Sequence, residues 1–174
     1  YWLFNVTQDG FWDEDRFETD PTYAHYFGNF NLLTYLVRHN DENIGNYLIS
    51  TDSANPRVFS VDNGVTFSSE ESDRGHHWRR LRVDRVPAAS VERLRALTED
   101  DLIRRLETVA QFRRGPDGQL VAMEPTANLS ENQGIRKSDD AVQFGLTRRE
   151  IRQVWRRLQS ILDEVDDGDL LLIQ

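Results

Sequence analysis

Residues 38–67 read RHNDENIGNYLISTDSANPRVFSVDNGVTF, and this stretch decides the fold that the sequence predicts. Asp41 is followed five positions later by Asn46, which leads into a short apolar run. A second apolar run ends at Asp62, and Asn63-Gly64 follows at once. The order is therefore an acid, an amide, two apolar runs and a second acid next to a glycine.

The two apolar runs predict a β-hairpin. Tyr47–Ile49 and Val58–Val61 are short and β-prone, and the residues between them, 51–56, are rich in turn formers. A hairpin at this place fixes the separation of Asn46 from Asp62. Gly64 lets the chain turn away directly after the second acid.

These residue types suit phosphoryl transfer. That reaction needs metal ions to neutralise phosphate oxygens and a carboxylate to accept the proton of the attacking hydroxyl. Asp41 follows a predicted helix in a loop, where it can act as the base. Asn46 and Asp62 offer the hard oxygen ligands that Mg²⁺ prefers.

The pattern resembles the kinase fold, most closely the phosphatidylinositol 3-/4-kinase branch and its type II phosphatidylinositol 4-kinases. The residues that carry the resemblance lie within 29–87: His39-Asn40-Asp41, Asn46, Asp62-Asn-Gly-Val-Thr-Phe67, His77-Trp78 and Val86-Pro87. The resemblance implies Asp41 as catalytic base, Asn46 and Asp62 as ligands of Mg²⁺ or Mn²⁺, and ATP as the phosphate donor. The implied acceptor is a hydroxyl of a protein or of an inositol-type lipid headgroup.

The chain departs from that family in two places. Glu42 follows the catalytic Asp where the family has a basic residue. Lys137 is the only lysine, so the lysine that grips the nucleotide and the glycine-rich loop are not found upstream of Asp41. We therefore expect the chain to act as a C-terminal lobe that needs an N-terminal lobe, supplied by the same polypeptide or by a partner.

Other interpretations stay open. The spacing of Asp41 and Asn46 also occurs in ordinary turn-rich structure. Asp41, Asn43 and Gly45 suggest a calcium loop, although the glycine comes one place early and position twelve is Asp52 rather than Glu. A third possibility is a pseudokinase-like module that binds a partner and scaffolds without catalysis.

A basic segment follows the hairpin. Its candidate contacts to an anionic substrate are His77, Arg79, Arg80 and Arg82. The same arginines could instead pair with Glu70, Glu71 and Asp73 in a solvated loop.

The composition of the chain restricts its domain number, its partners and its possible metal sites. The chain has 174 residues, and 38% of them are hydrophobic, which predicts one domain over residues 1–174. The net charge of −9 argues against nucleic acid as a partner, and the lack of cysteine excludes disulfides and thiolate metal sites. No apolar run reaches the length of a membrane span. The chain begins at Tyr1, and we expect a soluble protein, cytoplasmic or secreted after processing.

The predicted fold class is α+β, mainly α, equivalent to the C-terminal lobe of a kinase with a small β-hairpin. Asp20-Pro21 starts a helix to about Val37, with Leu32, Leu33, Leu36 and Val37 on its buried face. The other predicted features are a short helix capped by Ser90, capping boxes at Thr98–Asp101 and Thr147–Glu150, a tight turn at Gly115–Gly118, and an exposed loop over 128–140.

Overall fold

The computed structural model describes residues 3–40, 43–67 and 78–174. The elements follow in chain order as β1 (Val6–Thr7), α1 (Glu14–Thr19), α2 (Pro21–Leu36), β2 (Tyr47–Ser50), β3 (Val58–Ser60), β4 (Arg85–Pro87), α3 (Ala88–Arg95), α4 (Glu99–Leu106), β5 (Ala110–Arg114), β6 (Leu120–Met123), β7 (Ile135–Lys137), β8 (Ala141–Phe144), α5 (Arg148–Asp167) and β9 (Leu171–Ile173). None of the described helices is long and apolar enough to cross a membrane.

The fold class is α+β. About 40% of the described residues lie in helices and 19% in strands. The strands form three small sheets, so the single predicted hairpin underestimates the β content. The chain divides into two compact units, Tyr1–Arg95 with Arg157–Gln174, and Ala96–Arg156.

Helix α2 organises the first unit. The Asp20 carboxylate accepts hydrogen bonds from the Thr22 and Tyr23 amides, and Pro21 occupies the first helical position, as predicted. Of the predicted buried face, Leu32 is buried as expected, whereas Leu33 is 50% exposed and Leu36 and Val37 are half-buried. The other large buried side chains of α2 are Tyr23, Phe27, Phe30, Asn31 and Thr34.

An aromatic cluster forms the core around α2. Trp78 packs against Trp12, Phe27 and Phe30, with ring centroids 5.3, 5.7 and 5.1 Å away. Tyr23 donates its hydroxyl to the Phe11 carbonyl at 3.0 Å and accepts from the Asp13 amide at 2.9 Å. Burial raises the pKa of Tyr23 to about 12, so the phenol stays neutral.

The predicted hairpin is present, and it belongs to a three-stranded antiparallel sheet ordered β1-β2-β3. Leu48 pairs with Phe59 and Ile49 with Val58. The outer strand β1 pairs Val6 with Ser50. The hairpin is therefore held along one edge by residues from the start of the chain.

A parallel pair, β4 and β9, completes the first unit. It packs on α2 at Gly28, where an added Cβ would lie 2.8 Å from Pro87 Cδ, so the close approach requires glycine. Ser90 lies inside α3 rather than at its cap, and its hydroxyl donates to Asn29 Oδ1 at 2.5 Å. The predicted Ser90 cap is wrong because α3 already begins at Ala88.

The second unit holds a four-stranded antiparallel sheet ordered β6-β5-β8-β7. Its strand β7 lies within the predicted loop 128–140, so that part of the prediction is wrong. The tight turn is confirmed by a bond of 3.0 Å from the Gly118 amide to the Gly115 carbonyl.

One face of this sheet buries polar side chains. Gln143 Nε2 donates to Gln111 Oε1 at 2.8 Å, and Gln143 Oε1 accepts from the Leu129 amide at 2.9 Å. Arg136 is 1% exposed and donates to the carbonyls of Glu107 and Leu146. Both predicted capping boxes, at Thr98–Asp101 and Thr147–Glu150, are confirmed.

Candidate functional site

The candidate site begins where α2 ends. Arg38 reverses the chain with φ of 47°, in the left-handed region that non-glycine residues rarely adopt. His39 and Asn40 follow and are 0% and 1% exposed. The Tyr47 hydroxyl lies 3.3 Å from His39 Nδ1, which joins this loop to the start of β2. The predicted base, Asp41, lies outside the described residues.

Two backbone hydrogen bonds close the segment on itself. The Asn40 amide donates to the Val65 carbonyl at 3.0 Å. The Phe67 amide donates to the Val37 carbonyl at 2.7 Å. The loop that leads to Asp41 therefore lies beside the residues that follow Asp62.

Asn46 lies at the base of the hairpin. It ends a 3-10 turn, Ile44–Asn46, and is 8% exposed. Its carbonyl accepts a hydrogen bond of 2.8 Å from the Val61 amide. Asn46 and Val61 are the residues next to Tyr47 and Ser60, which form the first pair of the two strands. This bond places Asn46 opposite the residue that precedes Asp62.

Asp62 occupies an unusual backbone conformation. Its φ of 51° and ψ of 57° are left-handed, and its side chain makes no capping bond to the 3-10 turn Asn63–Val65. A left-handed non-glycine residue stores strain and marks functional sites more often than other positions. A Cβ added to Gly64 would lie 3.5 Å from Asp62 Oδ1, an ordinary van der Waals contact, so the turn does not require the glycine that the sequence predicted to be needed there.

The neighbouring polar side chains fix the turn and leave Asp62 exposed. Ser60 Oγ donates to Asn63 Oδ1 at 2.8 Å, and Asn63 Nδ2 donates to the Ser60 carbonyl at 3.1 Å. Among the residues with described positions, no arginine, lysine or histidine forms an ion pair with Asp62.

The positions of these residues can be compared with two hypotheses, a Mg²⁺ site at Asn46 and Asp62 and a calcium loop that begins at Asp41. The described ranges contain no group of three His, Asp or Glu side chains that could hold a metal ion. The predicted pair is one amide and one carboxylate, and octahedral Mg²⁺ completes such a pair with water and phosphate oxygens. The calcium-loop interpretation is wrong, because the element after Asp52 is strand β3 (Val58–Ser60) where that motif has its second helix, and Asp52 Oδ1 accepts from the Ala54 amide.

The arginines predicted to contact an anion have different surroundings. Arg79 Nη1 lies 3.5 Å from Asn40 Oδ1, so this arginine reaches the loop before Asp41. Arg80 is exposed. The Arg82 guanidinium stacks over the Trp78 ring at 4.8 Å. His77 lies outside the described residues.

Asn31 holds this basic segment in place. Its Nδ2 donates to the carbonyls of Trp78 and Arg80 at 3.2 and 2.7 Å. Its Oδ1 accepts from the amides of Arg82 and Val83 at 2.7 and 3.2 Å. Sequence reasoning did not identify Asn31, although an amide between Phe30 and Leu32 on an apolar helix is a signal for such a buried anchor.

A comparison of the chain with protein-family models, with curated proteins and with solved structures finds no match in any of the three.

Proposed function

We propose that this chain is the catalytic lobe of a kinase-like, Mg²⁺- and ATP-dependent phosphotransferase. The observation that carries the proposal is the bond from the Val61 amide to the Asn46 carbonyl. This bond pairs the backbone of Asn46 with the residue before Asp62, which supports a shared site for the two predicted metal ligands. The second support is the bond from Asn40 to Val65, which holds the loop leading to Asp41 beside them.

In this proposal each residue has one role. The Asp62 carboxylate and the Asn46 amide oxygen would hold Mg²⁺, or Mn²⁺ in its place, and the ion would supply positive charge beside the phosphate oxygens of ATP. Asp41 accepts the proton of the attacking hydroxyl. Arg79, which contacts Asn40, would bind the transferred phosphate or an anionic acceptor.

The acceptor is a hydroxyl of a protein or of an inositol-type lipid headgroup. The remaining nucleotide contacts come from an N-terminal lobe in the same polypeptide or in a partner chain. The alternative is a pseudokinase-like scaffold, which would have the same fold and the same loop but would not transfer phosphate.

The test measures metal-dependent nucleotide binding by the full-length protein. Mg²⁺–ATP at a hundred times its dissociation constant should stabilise the folded state by about 2.7 kcal/mol, seen as a rise in melting temperature. Asp62→Ala should remove that rise, because the metal loses its only charged ligand from the hairpin. Asp52→Ala is the matched control, since Asp52 is exposed at the opposite end of the same hairpin.

Two results would count against the proposal. The first is the absence of any Mg²⁺–ATP effect on the melting temperature of the wild type. The second is a rise in Asp62→Ala equal to that in the wild type and in Asp52→Ala.

A further inference from the structure

The C-terminal end of α2 has a complete set of hydrogen-bond partners. A helix leaves its last four carbonyls without helical partners. Here Leu33 accepts from Val37, Tyr35 from Arg38 and Thr34 from His39, at 3.0, 3.1 and 2.9 Å. All three donors are backbone amides of the loop that follows the helix.

The fourth carbonyl is bound from far along the chain. Arg157, at the middle of α5, donates its Nε to the Leu36 carbonyl at 2.8 Å, across a separation of 121 residues. A cation at this place also interacts favourably with the negative end of the helix dipole. Arg157 is the one side chain among the described residues that caps this helix end.

Arg157 keeps this position at an energetic cost. Burial and the nearby Arg38 guanidinium lower the pKa of Arg157 to about 10, so it remains a cation at neutral pH beside a like charge. No carboxylate in the described part of the chain forms an ion pair with Arg38 or Arg157. Six other arginines do have such partners: Arg16, Arg85, Arg95, Arg104, Arg148 and Arg152.

We infer that Arg157 is a positioning residue, which fixes the loop Val37–Asn40 through the Leu36 carbonyl. The loop turns immediately after Leu36, with Arg38 in a left-handed conformation. A shift of Leu36 would therefore move the donors of all three backbone caps. It would also move Val37 and Asn40, which bind the segment after Asp62. The consequence for catalysis rests on the proposed function, whereas the effect on the loop does not.

The test compares amide hydrogen exchange in the wild type and Arg157→Met. Loss of a hydrogen bond from a charged donor should speed exchange at His39, Asn40 and Phe67 by roughly tenfold or more. Exchange at Ile49 and Phe59 in the hairpin should stay unchanged. Arg156→Met is the matched control, because Arg156 is the preceding residue of α5 and is exposed.

The Lys variant separates positioning from packing. Arg157→Lys keeps a cationic donor, so it should recover part of the protection that Met loses. Equal exchange in Lys and Met variants, unchanged exchange in Met, or equal acceleration at the hairpin amides would each overturn the inference.

The kcat of Arg157 variants tests whether this residue affects catalysis at the proposed site. Arg157→Met should lower kcat and leave the dissociation constant of Mg²⁺–ATP unchanged, because Asn46 and Asp62 remain in place, and Arg157→Lys should restore part of kcat. A fall in nucleotide affinity with unchanged kcat would overturn the catalytic part. If the wild type neither binds nor uses Mg²⁺–ATP, the proposed function fails, and the exchange result alone then decides the role of Arg157.

Discussion

Replacing Asp41 with Asn is expected to reduce phosphate transfer from Mg²⁺–ATP by roughly 10²- to 10⁴-fold, the usual contribution of a general base. The amide of Asn has nearly the same shape as the carboxylate but cannot accept the proton of the hydroxyl. Binding of Mg²⁺–ATP should be unaffected, because the metal ligands in the proposal are Asn46 and Asp62.

The measurement has two arms. Transfer of labelled phosphate in the full-length protein is followed to phosphatidylinositol vesicles and to a protein substrate, and nucleotide binding is followed by calorimetry. Asp52→Asn makes the same chemical change at an exposed position of the hairpin turn and should keep full activity. Turnover retained in Asp41→Asn would remove Asp41 from the role of base. Binding without transfer in the wild type would favour the scaffold interpretation.

The second large effect concerns the stability of the fold. Asn31→Ala should lower the free energy of unfolding by about 3 kcal/mol, because three backbone groups lose the partner that Asn31 provides. Those groups are the Arg80 carbonyl and the amides of Arg82 and Val83. The Trp78 carbonyl loses its bond from Asn31 and keeps the one from Thr34 Oγ1 at 2.6 Å.

Urea unfolding measures this loss, and two further variants show its cause. Asn31→Leu keeps the volume and removes the hydrogen bonds, so it should be about as destabilising as Asn31→Ala. Leu33→Ala truncates a half-exposed residue of the same helix and should cost about 1 kcal/mol or less. Equal losses for Asn31→Ala and Leu33→Ala would show that the Asn31 bonds contribute little.

Local signals explain which elements were predictable. The start of α2, the capping boxes at Thr98 and Thr147 and the hairpin each depend on residues that are near one another in sequence. The sheet of the second unit was missed because its buried face carries Gln111, Gln143 and Arg136. On those strands the alternation of apolar and polar residues therefore predicts the wrong buried face.

Pairings between distant segments were not predictable. Strand β4 pairs with β9 in register from Arg85 and Leu171 onward, and no pattern in either segment specifies the other. The same limit applies to the site. The neighbourhood of Asn46 and Asp62 follows from a hairpin of a given length, whereas the contacts of Asn31 and Arg157 span 47 and 121 residues.

The most direct test of the account asks where a divalent metal binds. Mn²⁺ with ATP, added to the isotope-labelled full-length protein, broadens the amide signals of residues close to the bound ion. The account predicts the strongest broadening at Tyr47, Val61 and Asn63, which flank Asn46 and Asp62, and its loss in Asp62→Ala. Broadening centred on other acidic residues, or unchanged by Asp62→Ala, would contradict the proposed metal site.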